Sequence, residues 1–296
     1  MEKIAKLSLN ATLKNYLSLT KPGIIAGNML TAIGGFALAE RGGFDFWLFL
    51  AMLEGLALII ASACIFNNII DREADKKMAR TRNRPLVKGL ISIRSAIIFS
   101  LILGFLGTFI LAQYTNLLTL TVALTGLFVY VFLYTFSKYR TIHGTLIGSI
   151  AGAVPPVVGY TAVSHRLDLA ALILFVMIAL WQMPHFYAIA IFRLKDYSAA
   201  SIPVLPIKKG MLKTKLHMFF YCLAFLGVST LLTFFDYTGY LYLVVVTFLS
   251  LGLLILSIKG FTCKNDQKWA RKMFFFSLAI VMALCFMISF SIPHYL

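Results

Sequence analysis

Long apolar segments alternate with short polar segments along almost the whole chain. Each apolar segment approaches the ~20 residues that an α-helix needs to cross the hydrocarbon core of a bilayer. The pattern predicts nine membrane helices, at about residues 22–39, 46–70, 93–112, 116–136, 142–162, 168–192, 215–234, 238–258 and 272–291. We therefore expect one all-α domain over residues 1–296, built as a polytopic membrane bundle.

The composition agrees with a membrane protein and excludes an ordinary soluble domain. Of the 296 residues, 60% are hydrophobic and 13% are charged, and the mean hydropathy is +0.88. The net charge of +16 does not indicate nucleic-acid binding, because the basic residues lie in the gaps between apolar segments. The four cysteines have neither CxxC pairing nor metal-ligand spacing, so we expect them to be free thiols.

The basic residues also predict an orientation. The chain has 27 Lys and Arg residues. All except Arg41 and Arg166 lie in the N-terminal segment, or within or next to every second gap between the apolar segments. Because cytoplasmic segments of membrane proteins are enriched in Lys and Arg, the N-terminal segment 1–21 is expected to be cytoplasmic and in part interfacial. The two long gaps, 71–92 and 193–214, are then cytoplasmic loops.

Oxygen-bearing side chains at four-residue spacing lie just before the first long gap and at its start. Asn67, Asp71 and Asp75 share one face of a helix, because four residues advance only about 40° beyond a full turn. Mg²⁺ prefers oxygen ligands, and it usually takes one or two carboxylates and completes its shell with water and substrate phosphate. We call these three residues the oxygen ladder.

Basic residues follow the oxygen ladder, among them Lys76, Arg80 and Arg84. Ammonium and guanidinium groups suit phosphate oxygens. Acids alone would indicate a metal site, and bases alone would indicate a patch for lipid headgroups. Both together predict a site for a metal-bridged diphosphate.

The second long gap repeats this combination on a smaller scale, with Lys195 beside Asp196. One interpretation makes Asp196 a further metal ligand and Lys195 a phosphate ligand. The alternative is an ordinary cytoplasmic loop with one compensating acid.

His185 lies inside the preceding apolar segment, about 16 Å deeper than Asp196 along the same helix face. Ionisable groups within a membrane helix often have a function. His185 is a candidate haem-iron ligand or proton acceptor. The alternative is a neutral histidine that is hydrogen-bonded to a neighbouring helix.

Gly144, Gly148 and Gly152 lie at four-residue spacing in the fifth predicted helix. The usual meaning of such spacing is close helix packing. A smooth cavity wall for a flat ligand is the alternative. Glu54 is turned away from the oxygen ladder by about 220° of helix rotation and is not a candidate for the site.

The ladder and its basic tail resemble a known signature. Asn67-x-x-x-Asp71-x-x-x-Asp75 followed by Arg82-x-Arg84-Pro85-Leu86 is similar to the first motif of the UbiA-type intramembrane prenyltransferases, and nine helices with two long cytoplasmic loops match that superfamily over nearly the whole chain. Within it, the haem O synthases are the most similar. Three segments carry that narrower resemblance: NNIIDREADKKMARTRNRPLVKG at 67–89, GAVPP at 152–156 and WQMPHFYAIAIFRLKDYSAASIPVLP at 181–206. The second superfamily signature is commonly Asp-x-x-x-Asp, whereas Ala200 stands four residues after Asp196 here, which leaves one or two Mg²⁺ ions open.

The resemblance implies transfer of a farnesyl group from farnesyl diphosphate to a vinyl group of protohaem IX (haem B), with addition of water, to give haem O and diphosphate. It implies that one or two Mg²⁺ ions are held by Asn67, Asp71, Asp75 and Asp196. The implied diphosphate ligands are Lys76, Arg80, Arg84 and Lys195. The implied catalytic residues are Asp71, Asp75, Asp196 and His185, with His185 orienting haem or taking a proton. The implied setting is the bacterial inner membrane, with the active site facing the cytoplasm and haem A synthase or a terminal oxidase receiving the product.

Three other functions remain open on the sequence. A prenyltransferase of the same fold acting on a quinone precursor or a chlorophyll-type acceptor is disfavoured only by the segments around His185 and Pro206. A transporter with a metal-binding gate would place its ionisable residues nearer the bilayer midplane. A haem-binding structural partner of an oxidase would leave the oxygen ladder without a purpose.

Overall fold

The computed structural model describes residues 2–40 and 42–290, with side chains described from residue 11 onward. Arg41, which was predicted on the outer side, lies outside the described residues, as does residue 291, the predicted end of the last helix. Every regular element in the described part of the chain is a helix. The all-α prediction is confirmed.

Nine helices within the described residues are long and apolar enough to cross a membrane. They confirm the predicted number. In chain order they are α1 Pro22–Ala39, α2 Phe46–Ile70, α3 Ile93–Tyr114, α4 Leu117–Arg140, α5 Gly144–Ser164, α6 Leu169–Phe192, α7 Gly210–Phe234, α8 Tyr240–Lys259 and α9 Asp266–Ser289. A further helix, Glu2–Leu19, precedes them.

Side-chain caps fix several helix starts. Asp45 accepts a hydrogen bond from the Leu48 N–H (2.9 Å), Ser92 from Ser95 (3.0 Å), and Asn265 from Lys268 (2.9 Å). Such caps satisfy backbone donors that the first helical turn leaves without partners. The cap at Asn265 explains why α9 starts at residue 266 rather than at the predicted 272. Hydropathy detects the apolar part of a helix, whereas this helix continues through a charged first turn.

Two membrane helices are irregular. In α4, Val129–Tyr134 forms a π-helical segment. The α5 segment divides at Ala153, just before Pro155 and Pro156, because prolines fit the first turn of a new helix but not the middle of an existing one. The first irregularity lies on the helix whose end contacts the oxygen ladder, and the second lies on a helix that packs against α6.

The nine helices form a closed ring, in which each contacts the next along the chain and α9 contacts α1. Contacts between α1 and α5 and between α6 and α9 divide the interior. One apolar cluster lies mainly among α1–α5, around Phe36 and Met52. A larger cluster lies mainly among α6–α9, around Tyr242 and Phe225. Large apolar side chains such as Phe105 and Phe248 are exposed outside the ring, as expected of surfaces that face lipid.

Glycines allow the closest helix approaches. A Cβ atom at Gly35 would overlap the Pro156 carbonyl oxygen, and one at Gly159 would overlap the Ala32 carbonyl oxygen, so α1 and α5 are in backbone contact.

The glycine stripe of α5 serves packing as well. Cβ atoms at its three positions would meet the Lys138 backbone, the Tyr134 ring and the Gln182 side chain. The packing interpretation of Gly144, Gly148 and Gly152 is therefore confirmed.

The two long loops meet at one end of the ring. The first contains the short helix Arg72–Lys77, and the second contains Leu194–Ala199 and Leu205–Lys208. The second loop ends at Lys209, because α7 begins at Gly210 rather than at 215. The loops pack through a small apolar cluster made by Met78, Ala200 and Ile202. The N-terminal segment reaches the same end, where the Leu19 carbonyl accepts a hydrogen bond from Asn68 Nδ2 (2.8 Å).

Candidate active site

The oxygen ladder is continuous across a helix junction. The Asp71 N–H donates to the Asn67 carbonyl (2.9 Å), and the Asp75 N–H donates to the Asp71 carbonyl (2.8 Å). Helical hydrogen bonding therefore persists from α2 into Arg72–Lys77, which keeps the three side chains on one face. All three are buried, with 3%, 8% and 2% of their surfaces exposed. The predicted shared face is confirmed.

Asn67 lies between the start of α1 and the end of α4. Its Oδ1 accepts a hydrogen bond from Lys21 Nζ (2.6 Å), and its Nδ2 donates to Thr135 Oγ1 (3.2 Å). Lys21 precedes Pro22 with a left-handed backbone (φ 55°), which turns its side chain into the bundle end. Burial lowers the pKa of Lys21 to about 8, because an ammonium group loses hydration there.

Asp71 is held from the end of α4. Its Oδ2 lies 2.5 Å from Lys138 Nζ, and its Oδ1 accepts a hydrogen bond from Tyr139 OH (2.6 Å). Both carboxylate oxygens therefore have partners. The pair with Lys138 is largely shielded from solvent, since each side chain is 11% exposed.

Asp75 is paired with a base from its own loop. Arg84 Nη1 lies 2.5 Å from Asp75 Oδ2 and 3.0 Å from Asn68 Oδ1. One nitrogen of the guanidinium, Nη1, thus joins the ladder to the neighbouring amide.

Asp196 approaches from the second loop. Its Oδ1 accepts a hydrogen bond from the Ala79 backbone N–H (3.0 Å). This contact brings Asp196, the fourth predicted metal ligand, to the loop that follows the ladder. Lys195 beside it is exposed.

Lys76 and Arg80 are both exposed but differ in their surroundings. Lys76 Nζ contacts Glu73 Oε1 at 2.7 Å on the exposed side of the short helix Arg72–Lys77. That hydrogen bond lowers the pKa of the Glu73 carboxyl. The positive charge of Arg80 offsets part of the rise in the pKa of Tyr197 that burial causes, so Arg80 lies near the second loop. The assignment of both bases to diphosphate stays a prediction.

His185 lies in a separate pocket, between α6 and α9. Its Nδ1 is 2.8 Å from Ser277 Oγ, and the rings of Trp181 and Phe274 pack against it at 5.1 Å and 4.7 Å between centroids. Gln182, three residues before His185 on α6, packs against Gly152 of α5. The hydrogen bond to a neighbouring helix matches the structural alternative, and it leaves Nε2 for other roles.

The donor chemistry of the ladder fits Mg²⁺. Asn67 Oδ1 and the carboxylates of Asp71 and Asp75 are hard oxygen donors, and each is already matched to a positive side chain. Within the part of the chain that the structure describes, no three His, Cys, Asp or Glu residues form a self-sufficient metal cluster. Hard oxygen donors of this kind suit Mg²⁺, which usually takes one or two protein carboxylates and completes its shell with water and phosphate.

A sequence model of the UbiA prenyltransferase family matches residues 28–279, most of the chain. The chain belongs to the UbiA prenyltransferase family. Similar proteins include the protoheme IX farnesyltransferase of Protochlamydia amoebophila, 54% identical, which covers 94% of this chain and 99% of that protein. The protoheme IX farnesyltransferase of Sodalis glossinidius is 49% identical, with 95% and 96% covered.

Solved structures share the UbiA fold with this chain. A digeranylgeranylglyceryl phosphate synthase superposes with a TM-score of 0.77 at 21% identity, covering 94% of this chain and 99% of that one. A UbiA homolog from Archaeoglobus fulgidus bound to GPP and Mg²⁺ superposes with a TM-score of 0.72 at 16% identity, covering 93% and 99%. These identities support the fold alone.

Four residues that contact the ladder or its partner Arg84 were not predicted from the sequence. They are Lys21, Asn68, Lys138 and Tyr139. Lys138 and Tyr139 follow the predicted fourth helix, 116–136, in a short gap for which no site residue was predicted. Asn68 was inside the quoted signature but had no role. Their positions could have indicated a role, because each lies at or near a segment end that was predicted to be on the cytoplasmic side.

Proposed function

We propose that this protein transfers the farnesyl group of farnesyl diphosphate to a vinyl carbon of protohaem IX, with addition of water. The products are haem O and diphosphate. The observation that carries the proposal is the 54% identity to a protoheme IX farnesyltransferase over nearly the full length of both chains. The buried oxygen ladder supports the proposal, because its oxygen donors suit a Mg²⁺ ion that also binds diphosphate.

Asn67, Asp71, Asp75 and Asp196 would hold Mg²⁺ together with the diphosphate. The bound ion would supply positive charge that stabilises the departing diphosphate. Each ladder residue contacts a basic side chain in the described structure. When the metal takes the ladder oxygens, phosphate oxygens would become new partners for these basic side chains. We infer that Lys21, Lys138 and Arg84 then bind diphosphate directly, with Lys76, Arg80 and Lys195 as outer candidates.

The farnesyl chain would extend from the ladder into the apolar interior of the ring. Breaking its C1–O bond releases diphosphate and leaves an allylic cation, which the vinyl group attacks to form a carbon–carbon bond. Water then adds to the new cation and loses a proton. The apolar interior excludes other water from the allylic cation, and His185 is a candidate to orient haem or accept that proton.

We propose the bacterial cytoplasmic membrane as the location, with the N-terminal segment and both long loops in the cytoplasm. The distribution of Lys and Arg supports this orientation. The hydrogen bond between Asp196 and Ala79 supports both loops lying on the same side. Haem A synthase or a terminal oxidase would receive the product.

The test is a haem-product assay on membranes containing the full chain. Membranes are incubated with protohaem, farnesyl diphosphate and Mg²⁺, and the extracted haem is analysed by mass spectrometry. We expect a mass gain of farnesyl plus water, which a chelator and Asp71→Asn abolish. Glu54→Gln is the matched control, because it makes the same carboxylate-to-amide change at an exposed position of the same helix. No new haem species, with a prenylated benzoate formed instead, would overturn the proposal.

A further inference from the structure

The hydroxyl oxygen of Ser277 lies within hydrogen-bond distance of both the His185 ring and a carbonyl of its own helix. Ser277 Oγ donates its proton to the Phe274 carbonyl, one turn earlier in α9 (2.7 Å). A serine hydroxyl has one proton, so toward His185 Nδ1, at 2.8 Å, the same oxygen acts as an acceptor. In that arrangement His185 carries its hydrogen on Nδ1. In the neutral ring, Nε2 then holds the lone pair.

The ring is also fixed in orientation. Trp181 stacks on it with an interplanar angle of 25°, and Phe274 lies against it at 31°. Trp181 Nε1 donates to the Ser277 carbonyl (2.8 Å). Ser277 of α9 thus contacts both Trp181 Nε1 and His185 Nδ1 of α6. Ser277 itself is buried, with 1% of its surface exposed.

The Nε2 atom remains available. Within the described residues, Ser250 Oγ is the one fully buried side-chain nitrogen or oxygen that lacks a hydrogen-bond partner. His185 Nε2 has no hydrogen bond in the described structure and is not among such fully buried atoms, so it is not completely enclosed, although the residue is only 8% exposed. An unprotonated imidazole nitrogen among aromatic rings is a Lewis base without a partner.

We propose that Ser277 is a positioning residue that locks His185 as the Nδ1–H tautomer, so that Nε2 binds the iron of the haem substrate. The inference rests on the proposed function for the identity of the substrate. Histidine ligands of metals usually donate their second ring N–H to a neighbouring acceptor, and that contact sets ring orientation and ligand strength. Here the acceptor is Ser277 Oγ.

The test is haem binding to the purified full chain without farnesyl diphosphate. Ferrous protohaem is added, and resonance Raman spectroscopy records the iron–histidine stretching band, while optical titration gives the affinity. We expect the band in the wild-type protein and its loss in His185→Ala. In Ser277→Ala we expect about 10–100-fold weaker haem binding and a band that is shifted or lost, because Nδ1 loses its acceptor.

Two variants separate positioning from packing. Ser277→Thr keeps a hydroxyl and should restore the band. Ser250→Ala removes a buried hydroxyl that has no partner and should leave band and affinity unchanged. Absence of the band in the wild-type protein, or a Ser277→Ala protein with unchanged band and affinity, would overturn the inference. If haem is still farnesylated in that case, the proposed function stands while this inference fails.

Discussion

Lys138 Nζ lies 2.5 Å from Asp71 Oδ2, and this ion pair joins the end of α4 to the middle of the oxygen ladder. The two residues are 67 positions apart in the sequence. Tyr139 donates to the other oxygen of the same carboxylate. The end of α4 therefore contacts the oxygen ladder directly, through both oxygens of Asp71.

Lys138→Met should destabilise the protein and weaken binding of farnesyl diphosphate. It leaves the buried Asp71 carboxylate without its charged partner, a change that typically costs about 3–5 kcal/mol. Thermal unfolding in detergent should show a lower Tm, and the KM for farnesyl diphosphate should rise. In the double variant with Asp71→Asn, most of the stability should return and activity should not. A single variant with unchanged Tm would contradict the importance of this pair.

Arg84→Lys should reduce activity although it keeps the charge. Arg84 Nη1 contacts both Asn68 and Asp75, and the compact ammonium on a flexible lysine stem does not hold a donor in the fixed position of a guanidinium nitrogen. The loss should be about 10-fold or more in kcat/KM, corresponding to at least ~1.4 kcal/mol. Arg94→Lys, at an exposed position at the start of α3, is the control and should behave as wild type. Equal kinetics for the two variants would show that the guanidinium group itself has no role.

Asp196 should have two separable roles. Its Oδ1 joins the loops through the Ala79 N–H, and its charge serves the metal in the proposed function. Asp196→Asn keeps an acceptor for Ala79, whereas Asp196→Ala removes both. We expect both variants to lose activity, while only Asp196→Ala makes residues 78–90 more sensitive to limited proteolysis. Wild-type activity in Asp196→Asn would remove this residue from the metal site.

Gly35→Ala should disrupt the contact between α1 and α5. The added methyl group would overlap the Pro156 carbonyl oxygen, so the helices must separate, with a typical destabilisation of about 1–3 kcal/mol. Gly27→Ala on the same helix has no heavy atom within 4 Å of the new Cβ and should leave the Tm unchanged or slightly higher. Equal melting temperatures for both variants would argue against close packing at Gly35.

The helices and the ladder were predictable because both depend on local periodicity. The length of an apolar segment sets the span, and four-residue spacing sets a helix face. Helix ends were less accurate where a charged first turn continues the helix, as in α9. The same limit applies at α7, which begins five residues before its predicted start.

The partners of the ladder were not predictable in the same way. Lys21 is 46 positions from Asn67, and Ala79 is 117 positions from Asp196. No local pattern encodes such tertiary contacts. Sequence reasoning also chose Lys76 as a diphosphate ligand because it follows the acids, although its position on the short helix directs it to Glu73.

The most direct test of the central claim, that the oxygen ladder holds a metal together with diphosphate, is a metal-binding titration. Mn²⁺ replaces Mg²⁺, and electron paramagnetic resonance measures free Mn²⁺ with the purified chain, with and without farnesyl diphosphate. We predict that tight Mn²⁺ binding requires both the protein and farnesyl diphosphate, is lost in Asp71→Asn and Asp75→Asn, and persists in Glu54→Gln. Mn²⁺ binding that is unchanged in the two ladder variants would contradict the claim.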